Sequence, residues 1–177
     1  MKTFEEFLNE SKITLADLDS TDIGPVFIIV CGGPASGKNT VFNSHFPNMP
    51  LVDMDEITFK LSGGDFEKRT KILNKAIGVA NKEIDGYLKQ GVSFGQVTVG
   101  GSVKTIQNKV DKAHSMGYSV AVVLIDVNAD TAIKRMNKRA KIGKQSSIPE
   151  WKVIKGNERA RETYRAVKAD YNIKVKN

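Results

Sequence analysis

The sequence predicts an α/β domain: a parallel sheet of about five strands with helices on both faces and a basic helical lid. Three observations lead there. Two continuous apolar runs of strand length, Val26 to Cys31 and Val120 to Ile125, read as strands buried on both sides, as parallel sheets require. Segments of helical period alternate with the strand-like runs. A glycine-rich turn, Gly32 to Lys38, follows the first run immediately and leads into a helix. In such folds ligands sit beyond the carboxyl ends of the strands.

Between these landmarks the chain reads in order. Leu51 to Met54 is a short second strand. Phe66, Leu73, Ile77, Ala80, Ile84, Tyr87 and Leu88 recur at helical spacing over a long segment ended by Gly91. Ser93 to Val99 is strand-like and precedes Gly100-Gly101. Val103 to Met116 suits a helix, with Gly117 placed to cap it. A basic helix spans Ala129 to about Lys141, a polar loop covers Gly143 to Ser147, Pro149 starts the last helix, and Tyr171 to Val175 is a final strand. Ahead of all this, residues 1–24 form a leader and linker, polar and acidic, closed by Gly24-Pro25. Residues 25–177 form the domain proper.

With 177 residues the chain fits one domain able to bury roughly 70% of its unfolded surface. Its 40% hydrophobic content excludes fibrous and wholly disordered classes. One cysteine calls for no oxidising compartment, and no apolar run reaches the ~18 residues of a membrane span. The expectation is a soluble, cytoplasmic domain with no membrane partner. Charge is uneven: residues 129–177 hold 14 Lys/Arg against five Asp/Glu. Such a stretch attracts phosphates, whether of nucleotides or nucleic acid; its bland counterpart is a solvated helical face.

Gly32-Gly33-Pro34-Ala35-Ser36-Gly37-Lys38 is G-x-x-x-x-G-K in the strand–loop–helix setting that gives the motif its meaning. Glycines let backbone N–H groups converge on phosphate oxygens, and the helix N-terminus adds a favourable field. Gly32, Gly33, Ser36, Gly37, Lys38, Asn39 and Thr40 are the nucleotide-binding candidates, with Lys38 expected on the β- and γ-phosphates. They refine the fold class to a three-layer P-loop NTPase and call for ATP with Mg²⁺. After the lysine the motif expects Ser or Thr as a metal ligand. Here Asn39 stands in that place and Thr40 follows one residue late, so Asn39, with Asp53, is the candidate metal ligand.

Asp53-Met54-Asp55-Glu56 closes the second strand. Strand alternation puts Asp53 and Asp55 on one side, with Asp55 at the exit, where a carboxylate can accept the proton of an attacking hydroxyl. The competing structural role is a cap of the next helix. Arg135 and Arg139 lie four apart on one helix face, as a guanidinium pair neutralising a transferring phosphoryl group would.

G-x-P-x-S-G-K, the D-x-D after strand two, and the arginine-bearing helix before Ile148-Pro149 resemble the zeta-toxin and polynucleotide-kinase group of P-loop kinases. The likeness covers roughly residues 26 to 175. It implies a general base at Asp55 and a phosphate-gripping role for Arg135 and Arg139 on a lid. The group often carries an acid at the end of its third strand, where this chain has Thr98-Val99-Gly100-Gly101. The first ten residues resemble the capsid-targeting leader of T-even-type phage internal proteins, which implies cleavage after Glu10 and packaging in a phage capsid. Two function classes follow. One is a phosphotransferase acting on a small anionic or nucleic-acid acceptor. The other is a phage accessory protein that binds nucleotide or nucleic acid without turnover.

His45 and His114 have no ligand-spaced partners and read as surface or helix-end residues. Cys31 reads as a packing residue, and Trp151 as an anchor of the last helix.

Overall fold

In a computed structural model that describes residues 14–19, 23–65, 68–142 and 148–177, five strands form one all-parallel sheet. They are β1 (Val26–Cys31), β2 (Leu51–Asp53), β3 (Phe94–Thr98), β4 (Ser119–Asp126) and β5 (Tyr171–Lys176), in the order β2-β3-β1-β4-β5. The two runs that read as doubly buried strands, β1 and β4, are interior to the sheet. Every residue of β1 is buried. At the edge, β5 alternates half-buried and exposed positions, turning Tyr171, Ile173 and Val175 to the core and Lys174 and Lys176 outward.

Among the described residues six α-helices sandwich the sheet: α1 (Lys38–His45), α2 (Met54–Leu61), α3 (Arg69–Gln90), α4 (Val103–Ser115), α5 (Ala129–Lys141) and α6 (Glu150–Ala166). Phe27, Ile29, Val52, Phe94 and Val122 pack against residues of α2, α3, α4 and α6 on one face. Val26, Ile28, Val30 and Val97 pack against Phe42 of α1 and Phe46 just after it on the other. This is the three-layer P-loop NTPase arrangement. The chain leaves β1 for the β2 edge, returns to β3, and then crosses to β4 on the opposite side. The carboxyl end of β1 is therefore where the connections diverge and a crevice opens.

Several sequence expectations need correction. Strand β2 stops at Asp53, and Met54 already begins α2, so strand alternation does not relate Asp53 to Asp55. The cause is the cap: Asp53 accepts hydrogen bonds from the N–H groups of Asp55 and Glu56, which turns the chain into a helix. Helix α2 is the helix that the capping alternative for Asp55 allowed for, with Asp53 rather than Asp55 as its cap. On α3 the buried stripe is Ala76, Ala80, Ile84 and Leu88, while Leu73 and Ile77 are exposed. The small Ala76 and Ala80 let the helix come close, so the larger residues occupy the outer face. Trp151 is 59% exposed and anchors nothing; Val153 is the buried residue of that turn. Within the segment read as linker, Leu15 and Leu18 form a short 3-10 turn and are buried beside Val26 and Ile28. Phe66, the loop Gly143 to Ser147 and the leader up to Glu10 lie outside the described residues.

Candidate active site

The turn from β1 into α1 takes its shape from a few backbone conditions. Gly37, the N-cap of α1, has φ +92°, a left-handed conformation that favours glycine. Ala35 also has positive φ, at 58°, which an L-residue adopts only where its surroundings hold it there. Here they do: Ala35 is buried with Ala132 and Met136 of α5 and Val153 of α6. The loop thus shares an apolar cluster with α5 and α6.

Helix α6 also closes on the loop at Gly33. A Cβ there would stand 1.9 Å from Asn157 Oδ1 and 3.0 Å from the Asn157 backbone nitrogen. Asn157 is 4% exposed and cannot swing aside. One residue earlier on α6, Gly156 meets Pro34 and Val99. Gly33→Ala is therefore expected to destabilise the fold by about 1–3 kcal/mol and to weaken nucleotide binding. Adding Asn157→Ala is expected to recover part of both. Thermal unfolding and ATP titration of the two variants check this.

Lys38 Nζ turns back onto its own loop, donating to the carbonyls of Gly32 at 2.9 Å and Gly33 at 3.0 Å. Burial lowers its pKa from the ordinary lysine value, and Arg139 pushes in the same direction. The carboxylates of Asp55 and, next, Asp53 oppose both. One ammonium therefore feels Asp55, Asp53 and Arg139 together, which brings four predicted residues into one electrostatic neighbourhood. Arg135 joins them: an ideal Cβ on Gly37 lies 3.9 Å from its Nη1.

Asn39 stands in the first turn of α1, where the motif expects a hydroxyl, and its Nδ2 donates to Asp53 Oδ2. The carboxylate of Asp53 is thus committed twice, to Asn39 and to the N-terminus of α2. Thr40 is exposed one position further along α1. Hard oxygen donors are present in Asn39 Oδ1 and Asp53, which suits Mg²⁺ as a guest completed by nucleotide phosphates. Among the described residues no cluster of three His, Cys, Asp or Glu side chains could hold a metal unaided. Ser36 is fully buried, and its Oγ has no hydrogen-bond partner.

Other residues complete the surroundings without having been marked by sequence. Asn177 Nδ2 donates to the Ser36 carbonyl at 2.8 Å. At the end of β4, Asp126 pairs with Arg161 of α6 and Lys174 of β5, which hold its carboxyl below the usual range. These partners come from distant parts of the chain, and no motif announces them. Cys31 is buried and its thiol is pushed up to about 12, so it packs rather than reacts. His45 is exposed, and His114 pairs with Asp170 away from the site.

A family model described as AAA domain matches residues 27–168, from β1 to just past α6. The chain belongs to this AAA domain family. No curated protein matches it. Among solved structures, the AAA domain fold is similar to a Chloroflexus aurantiacus protein provisionally assigned as a kinase, at 18% identity and TM-score 0.65. The match covers 88% of this chain and 86% of that one. A chain of the Pnkp1/Rnl/Hen1 RNA repair complex matches at 18% identity and TM-score 0.66 over 85% of this chain and 49% of its own. A chain of the AvrRxo1-ORF1:AvrRxo1-ORF2 complex with ATP matches at 17% and 0.61 over 89% of this chain and 55% of its own. The AAA domain chain spans about half the length of the last two. No helix among the described residues is long and apolar enough to cross a membrane.

Proposed function

We propose that this AAA domain is an ATP-dependent phosphotransferase that moves the γ-phosphoryl group to the hydroxyl of an anionic acceptor. The observation that carries the reading is the convergence on Lys38 of Asp55, Asp53 and Arg139 at the carboxyl end of β1. A cation for the phosphates, a carboxylate for a proton and a guanidinium for developing charge are what phosphoryl transfer asks of a protein. The phosphate-loop motif, and the likeness in fold to a chain of a complex solved with ATP, support ATP as donor.

In this reading the backbone N–H groups of Gly33 to Lys38 bind the β- and γ-phosphates, and Lys38 leaves the loop carbonyls to join them. Asp55 takes the proton of the acceptor hydroxyl as its oxygen bonds to the γ-phosphorus and the bond to the β,γ-bridging oxygen breaks. Arg135 and Arg139 neutralise charge on the transferring group. Mg²⁺, when bound, would rest on Asn39 and, less directly, Asp53, and would supply charge neutralisation on the phosphates.

A second reading, nucleotide binding without turnover, is favoured by one contact. The Asn39–Asp53 hydrogen bond, together with the α2 cap, engages both carboxylate oxygens of Asp53, which would otherwise face the metal. Asn39→Ser separates the two. It is expected to raise magnesium affinity about tenfold, the scale of a change in a metal's immediate surroundings, and turnover with it. Acceptor-dependent ADP release, measured for both proteins over a magnesium series, checks this. The phosphotransferase reading fails if neither protein releases ADP faster with any acceptor than without. The phage-capsid role, with cleavage after Glu10, goes with this second reading, and mass analysis of the virion-extracted protein tests it.

A further inference from the structure

The sheet face under α3 and α4 is apolar except at Gln96, which is 4% exposed and shares its rung with Ile29 of β1 and Val52 of β2. Its Oε1 accepts a hydrogen bond from Lys109 Nζ of α4 at 3.1 Å. Three residues along α4, Lys112 pairs with Asp85 of α3, so this face of α4 looks toward α3. The Lys109 ammonium therefore lies in the seam between the two helices, above β3. Among the described residues Gln96 is its partner, and no carboxylate pairs with it.

Lys109 is half-buried, so part of its hydration is lost with no opposing charge to replace it. An ammonium has three donors, and a neutral amide oxygen engages one without cancelling the charge. Burial drives the Lys109 pKa down from the ordinary lysine value, with no opposing charge to hold it up. The direction of the seam is also informative. Asp53 shares a rung with Val97, so Gln96 lies one rung beneath Asp53, and β3 ends two residues further on. Side chains on a helix lean toward its N-terminus, which for α4 is the carboxyl end of the sheet. Lys109 thus lies on the α3/α4 side of the sheet, one rung beneath the level of Asp53 and toward the carboxyl edge.

We propose that Lys109, presented by Gln96, is a recognition residue for the acceptor, and that it binds an oxyanion, phosphate or carboxylate, carried by that acceptor below its reacting hydroxyl. This deepens the phosphotransferase reading and rests on it.

The test needs no turnover, so it can fail separately from the kinase reading. Protein saturated with a non-hydrolysable ATP analogue, which fills the phosphate loop, is titrated with inorganic phosphate and, separately, acetate. Wild type is expected to bind at least one, and the preferred probe distinguishes phosphate from carboxylate. Lys109→Met is expected to weaken that binding tenfold or more while the apo protein's unfolding temperature stays level or rises, because a half-buried charge with no counter-ion is gone. Gln96→Glu is expected to raise the unfolding temperature and abolish anion binding by supplying the missing carboxylate internally. Unchanged anion binding in both variants, or a Lys109→Met protein that unfolds earlier and binds as well as wild type, overturns the proposal. Anion binding lost in both variants, together with absent phosphoryl transfer in wild type, upholds the site and removes the kinase.

Discussion

Lys38→Ala is expected to lower phosphoryl transfer about a thousandfold or more and to weaken ATP binding sharply. The size follows from what Lys38 does in each state. Without nucleotide its ammonium is held by the carbonyls of Gly32 and Gly33, inside a loop that burial makes a poor place for charge. Phosphates replace two neutral acceptors with formal negative charge, and such a hydrogen bond is roughly twice as strong as a neutral one. The same substitution removes a buried charge, so the fold is expected to survive it. The unfolding midpoint should move by no more than about 4 °C, the shift of about 1 kcal/mol in a chain of this size. Calorimetric ATP titration and thermal unfolding on one preparation check both parts.

Asp55→Asn is the second large effect, with the opposite signature. Transfer is expected to fall about 10²–10⁴-fold, the usual contribution of a positioned general base, while ATP binding persists. Asp55 lies in the first turn of α2, but the cap of that helix is Asp53. Removing the Asp55 charge therefore leaves that cap in place, and the dipole interaction it takes from the helix is about 0.3–1 kcal/mol. A proton-transfer role predicts a loss confined to turnover. Were Asp55 mainly a counter-charge for Lys38, the change would instead appear in ATP affinity, since Asp55 is the strongest electrostatic support of that ammonium. Measuring binding and turnover on the same variant separates these roles.

Much of the fold was legible because its signals are local. The unbroken apolar run Val26 to Cys31 can only be a strand covered on both faces, and the glycines and lysine after it specify the turn. The strand-to-helix change at Asp53 was missed because one cap, a two-hydrogen-bond feature, outweighed the short apolar stretch before it. Leu73 and Ile77 fit the helical period, yet the close approach of α3 through Ala76 and Ala80 selected the other stripe. Trp151 looked like an anchor by size alone, and size does not report which way a helix faces.

The site divides the same way. Gly32 to Lys38, Asp55, Arg135 and Arg139 are marked by motif and spacing. Asn157, which presses on Gly33, and Lys109, which meets Gln96, are not, because each acts across elements far apart in sequence. A polar Gln in an otherwise apolar strand was the one available signal, and only the register explains it.

The most direct test of the account is transfer of label from γ-labelled ATP, with magnesium, to UDP-sugars, nucleosides and 5′-hydroxyl oligonucleotides. Wild type, Lys38→Ala and Asp55→Asn are compared at saturating acceptor. The account predicts a labelled acceptor with wild type, none with Lys38→Ala, and a trace with Asp55→Asn despite full ATP binding. Equal labelling by wild type and Asp55→Asn would contradict it, as would ATP binding by wild type with no labelled product from any acceptor class.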